Sequence, residues 1–131
     1  MFTVKKIKAP VHIYFITQYP FPAGISKAWL ELESYISERA GIKFYGVFDG
    51  QQYLAGCDSP NKLSVSRESL QEYIIPAGTY LAHTIHNWQD KKELIALTFQ
   101  RMEEEPGCDK DSEDIEFYRS NTELVCLKSM K

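Results

Sequence analysis

The sequence predicts an α+β fold in which a βαββ unit is used twice, the two copies packing about a pseudo-twofold axis. Two observations carry the order of elements: two segments have a helical hydrophobic period, and each is preceded by one strand-like run and followed by two. A third is an echo of letters between the halves. "IKFY" (42–45) and "IEFY" (115–118) share I-x-F-Y, and both fall just after a helix, in the first strand of a hairpin. A single βαββ unit would leave the sheet side of its helix exposed, so two must pack together.

Along the chain, "VHIYFITQY" (11–19) has the β-branched and aromatic composition of a strand. In "ISKAWLELESYISERAG" (25–41), Ile25, Trp29, Leu32 and Ile36 recur at i, i+4, i+7 and i+11, with Glu31, Glu33, Ser34 and Glu38 between them. This is one apolar stripe opposite a charged face, with Gly41 as its expected stop. "IKFYGVF" (42–48) and "QYLAGC" (52–57) flank Asp49-Gly50, a hairpin turn signal. "DSPNKLSVSRESL" (58–70) is polar and turn-rich and reads as a linker.

The second half repeats the order. "TYLAHTIHNW" (79–88), approached through "IIPAG", is its first strand. In "DKKELIALTFQRMEEEPG" (90–107), Asp90 stands at the N-cap with Glu93 in the capping-box position. Leu94, Ile95, Thr98, Phe99 and Met102 form the stripe, and Pro106-Gly107 ends it. "IEFYRS" (115–120) and "TELVCLKSM" (122–130) follow, turning near Asn121. A chain of 131 residues is expected to form one domain, 1–131, with a first half of about 1–57, a linker of about 58–70 and a second half of about 71–131.

Composition narrows the function classes. A net charge of −3 and a pI near 5.6 argue against direct nucleic-acid binding, which needs a basic stripe. No apolar run approaches the ~20 residues of a membrane span, and "MFTVKKIKAP" has no secretory h-region. Cys57, Cys108 and Cys126 are odd in number and far apart, without metal spacing, so reduced, buried thiols in a cytoplasmic protein are expected. His83 and His86 fall on opposite faces of a strand and cannot chelate one ion together; His12 stands alone. The run "EEEPGCDKDSED" (103–114) lacks the alternation of an EF-hand loop and reads as a solvated connection. No metal and no cofactor are expected.

"IPAGTY" (75–80), a helix, then hydrophobic-Glu-x-Tyr in "IEFY" (115–118) and a short last strand resemble the GyrI-like, or AraC-type effector-binding, domain (SHS2-type). "YGV" (45–47) and the helix with Trp29 extend that resemblance over nearly the whole chain. It implies a curved antiparallel sheet with two helices on one side and a ligand groove between the halves. Members of that family serve as ligand-sensing domains of transcription regulators, as stand-alone proteins, as a gyrase inhibitor and as hydrolases of cyclopropane-bearing toxins. In its drug-sensing members the Glu of Glu-x-Tyr meets cationic aromatic ligands; by position that residue is Glu116. Two departures stand out: Asn87-Trp88 replaces a common glycine-proline turn, and "CDKDSED" (108–114) replaces an Arg/Pro-rich loop.

Glu116 alternates with Ile115 and Phe117 along its strand, so it shares a face with Tyr118. A carboxylate among rings must find a cation or hold its proton. The expected ligand-binding residues are Glu116, Tyr118, Tyr45, Trp29 and Trp88; Tyr118 and Tyr45 are placed on matching faces of the repeated strand, and Lys43, the counterpart of Glu116, points outward. Tyr80 is structural. The leading expectation is a stand-alone module binding a small hydrophobic, cationic molecule, with transcriptional or toxin-response roles exercised through a partner. One alternative is a hydrolase of strained electrophiles, with Glu116 catalytic. The other is an inhibitory protein-binding module that uses the acidic 103–114 segment.

Overall fold

The computed structural model describes residues 2–131; Met1, at the start of the single-domain span, lies outside them. Nine strands form one antiparallel sheet: β1 (Thr3–Ile7), β2 (Val11–Phe15), β3 (Tyr19–Pro20), β4 (Phe44–Phe48), β5 (Gln52–Cys57), β6 (Gln71–Ile75), β7 (Gly78–His86), β8 (Asp114–Tyr118) and β9 (Glu123–Ser129). The helices are α1 (Ile25–Ser34) and α2 (Glu93–Glu103). The strand order is β1-β7-β9-β8-β4-β5-β2-β6, with short β3 also on β5. The order β2-β5-β4 on one side of the centre repeats as β7-β9-β8 on the other, so the twofold runs between β4 and β8.

The sequence predicts neither of the outermost strands, β1 and β6. β1 pairs with β7, and β6 pairs with β2, so each half contributes an edge strand to the other. Four of the five residues of β1 are exposed, including Lys5 and Lys6. Lysines on an edge discourage further strand addition, and with so little of β1 buried its hydrophobic signal is weak.

Both helices lie on one face. Ala28 and Leu32 of α1 pack with Phe44, Tyr53, Ala55 and Cys57, whereas Phe99 and Met102 of α2 pack with Leu81, Ile85 and Cys126. On the other face, Ile13, Phe15, Tyr45, Val47, Ile75, Tyr80 and Ile115 are buried without a helix over them. The sheet covers them by curling: Tyr73 Oη on edge strand β6 donates to Glu113 Oε1, next to central β8, at 3.1 Å. Tyr80 closes the same region by donating to the Pro76 carbonyl at 2.7 Å.

Element boundaries differ from expectation where a local contact competes with the helix. α1 stops at Ser34 rather than near Gly41, because the chain turns to meet the linker: Ser64 N–H donates to the Tyr35 carbonyl at 2.8 Å, and Ile36 bridges Leu63. Asp90 does not cap α2. It ends a 3-10 turn at Trp88–Asp90, and Lys92 occupies the N-cap without a side-chain bond. Strand β7 ends at His86 because Asn87 takes φ 55°, a left-handed conformation that Asn tolerates better than most residues.

The I-x-F-Y echo is out of structural register. Phe44 lies directly opposite Tyr118 and Tyr45 opposite Phe117. Phe44 therefore faces the helices and its letter-mate Phe117 faces away, while Tyr45 and Tyr118 are likewise on opposite faces. The duplication is real in topology, but these letters do not mark its equivalent positions.

Candidate ligand site

Strand register lays five residues in a row across the helix-bearing face: Ala55, Gly46, Glu116, Cys126 and His83. α1 covers the Ala55 end and α2 packs over Cys126. Gly46 and Glu116 thus lie on the two central strands, under the gap between the helices.

Three aromatic side chains organise the carboxylate. Tyr53 Oη donates to Glu116 Oε1 at 2.6 Å, and Tyr118 Oη donates to the same oxygen at 2.7 Å. Trp29 Nε1 donates to Tyr53 Oη at 2.9 Å, completing a relay from indole to phenol to carboxylate. Among the described residues no lysine, arginine or histidine pairs with Glu116, and Oε2 accepts no hydrogen bond.

Burial raises the Glu116 pKa above 4.5; the phenol hydrogen bonds oppose that rise and the nearby Asp114 charge adds to it. Burial, and then the Glu116 charge, hold Tyr53 and Tyr118 well above the usual phenol range, so both remain donors. Because the folded state retains the Glu116 proton to higher pH than the unfolded chain, this group's contribution to stability is complete below pH 4.5 and is lost as pH rises through its raised folded value. The melting temperature of Glu116→Gln, relative to wild type, is therefore expected to climb as pH rises above 4.5. Paired thermal melts from pH 4 to 8 check this, and a gap that stays flat would contradict it.

Tyr118 is held between two indoles. Trp29 meets it edge-on at 5.0 Å and 79°, and Trp88, from the turn before α2, meets it at 5.1 Å and 72°. Beyond Trp29, the Arg39 guanidinium lies 4.5 Å from the Phe44 ring centroid, so this aromatic surface already hosts a cation at its margin. Two residue pairs along from Glu116 in the other direction, at Phe48 and Asp114, begins a cavity of about 260 Å³ also lined by Glu103 and Lys128. Lys128, only 2% exposed, donates there to the Ser112 carbonyl at 2.6 Å and Asp114 Oδ1 at 2.8 Å, with Glu103 at 3.7 Å. A cavity of about 280 Å³ on the opposite side is lined by Tyr73, Tyr80, Glu113 and Ile115. Glu116 lines neither.

Of the residues proposed from sequence, Glu116, Tyr118, Trp29 and Trp88 come together. Tyr45 does not: it is 7% exposed on the helix-free face, stacked on Phe117 at 4.9 Å, and burial pushes its pKa up to about 12. Alternation along β4 sends it away from Glu116, and Tyr53 of β5 supplies the second phenol instead. Two signals pointed to Tyr53. Asp49 accepts hydrogen bonds from the Gln51 and Gln52 amides, fixing a tight turn that sets Phe48 opposite Tyr53. Gly46 then interrupts an aromatic strand, a mark of close approach by another group. Lys43 is exposed, its amide bonded to Asp58, and His83 and His86 lie on opposite faces of β7. Cys57, Cys108 and Cys126 are free and buried.

Fold and site define a duplicated α+β protein with a half-buried carboxylate on the sheet face that carries its two helices. No family model matches the chain, and no curated protein matches it in sequence. Among solved structures it is similar to an integron cassette protein from the mobile metagenome of Vibrio cholerae (TM-score 0.75, 14% identity, 99% of this chain and 95% of that one). It is also similar to a candidate bacterial transcription regulation protein from Staphylococcus aureus MU50 (TM-score 0.60, 12% identity, 100% and 98%). SAV2435, solved bound to tetraphenylphosphonium, matches with TM-score 0.60 and 11% identity over 100% of this chain and 94% of its own. At these identities the likeness establishes the fold. No helix among the described residues is long and apolar enough to cross a membrane.

Proposed function

We propose that this protein is a GyrI-like module that binds a small, hydrophobic, aromatic cation against Glu116, acting in regulation or toxin response through a partner protein. The observation that carries the reading is a half-buried carboxylate bonded only to phenols, with one oxygen open and no cationic partner among the described residues. Burial raises the cost of ionising such a group, and a ligand cation offsets that cost. Trp29, Tyr118 and Trp88 supply the π faces a flat or ring-bearing cation requires. The similarity of fold to SAV2435, whose structure contains tetraphenylphosphonium, supports the same ligand class.

Titration with tetraphenylphosphonium tests the reading. Saturable quenching of the tryptophan emission, with one site by calorimetry, is the expected result. A linear response without saturation up to the solubility of the cation would overturn it.

A further inference from the structure

Trp29, Tyr53 and Glu116 come from three elements, α1, β5 and β8, and meet at one hydroxyl. Tyr53 Oη accepts the Trp29 indole proton at 2.9 Å and donates its own proton to Glu116 Oε1 at 2.6 Å. Tyr53 is 1% exposed, so no ligand reaches it, whereas Trp29 and Glu116 are half-buried. A phenylalanine would fill the same space in the core; the hydroxyl is there for its two polar bonds. Around Glu116, Tyr118 and Asp114 share its strand, and Lys128 engages Asp114. Cys126 stands opposite on β9, its thiol pushed up by burial and therefore neutral. Among the described residues no ion pair joins Glu116 to either helix.

We infer that Tyr53 is a positioning residue: it ties the Glu116 carboxylate to the Trp29 indole, so that the charge of the site and its aromatic wall answer a cation as one unit. An ionised carboxylate draws the Tyr53 proton toward itself, which makes Oη a better acceptor and tightens the Trp29 bond. Hydrogen bonds in a chain strengthen one another in this way where the local dielectric is low. Tyr53 keeps its own proton throughout, because burial and the Glu116 charge hold it well above the usual phenol range. A cation that keeps Glu116 ionised therefore firms the indole that meets its rings. That benefit rests on the cation reading of Glu116; the linkage itself is a property of the free protein.

Nuclear magnetic resonance of the free protein tests the linkage. As pH rises above 4.5, the Trp29 indole proton should move downfield with the midpoint of the Glu116 carboxyl carbon, and the buried Tyr53 hydroxyl proton should follow the same midpoint. In Glu116→Gln neither proton should titrate. In Tyr53→Phe the indole proton should stay in place, while the Glu116 midpoint rises by about one pH unit because one of its two donors is gone. An indole proton that ignores pH in the wild type, or still follows Glu116 in Tyr53→Phe, would overturn the inference. If Tyr53→Phe does not fold, the two wild-type protons and their loss of titration in Glu116→Gln decide it. Affinity gives a second test. The tetraphenylphosphonium deficit of Tyr53→Phe should be about tenfold at the acid end of a series from pH 5 to pH 8 and narrow as pH rises. A deficit constant with pH would mark a merely structural tyrosine and overturn the inference. If the wild type does not bind the cation at all, the cation reading fails and the spectra alone decide the linkage.

Discussion

Glu116→Gln is expected to weaken tetraphenylphosphonium binding by more than tenfold, a loss above about 1.4 kcal/mol, while leaving triphenylphosphine oxide, a neutral molecule of similar shape, within twofold. Glutamine keeps an oxygen where Oε1 stands, so Tyr53 and Tyr118 retain their acceptor and only the charge is removed. The pH dependence is part of the same result. The cation requires the ionised carboxylate, whose pKa is raised by burial, so wild-type affinity should increase with pH above 4.5 by at most tenfold per unit. The variant should show no such rise. Calorimetric titrations of both compounds at several pH values decide the matter, and equal loss for the cation and the neutral molecule would show that shape, not charge, had been disturbed. The same variant separates binding from turnover: a cyclopropane-bearing electrophile hydrolysed by the wild type and spared by Glu116→Gln would make Glu116 a catalytic base.

What the sequence disclosed, and what it withheld, follows from the range of each signal. The stripes of α1 and α2, the Asp49-Gly50 hairpin and the alternation that sets Glu116 beside Tyr118 are all written within a few residues. They were legible for that reason. Strands β1 and β6 were not, because each is stabilised by a partner from the other half of the chain and carries little buried surface of its own. Tyr45 was misplaced by the same kind of error. A repeat of letters specifies spacing along the chain, but the face a side chain takes depends on register with the neighbouring strand, and a one-residue slip inverts it. Trp88 is legible as a ring at a strand end, but the surroundings of its N–H depend on which groups the whole fold gathers there.

Gly46→Val tests the architecture that the ligand reading depends on, and a destabilisation of about 3 kcal/mol is expected from overpacking plus broken hydrogen bonds. A Cβ at position 46 would fall within overlap distance of the Tyr53 hydroxyl and the Glu116 carboxylate, and 2.8 Å from Tyr53 Cζ. The phenol cannot retreat at no cost. Moving it strands Trp29 Nε1 without an acceptor and takes one of two donors from Glu116 Oε1. For a domain of this size the melting temperature should fall by about 10 °C. A double-mutant cycle with Tyr53→Ala locates the cause. If the collision with Tyr53 dominates, the valine penalty should shrink by more than about 1 kcal/mol once that ring is gone; additivity within about 0.5 kcal/mol would mean that the two residues do not share a site. By presenting no side chain at the centre of the sheet, the glycine lets a tyrosine from one half reach the carboxylate of the other.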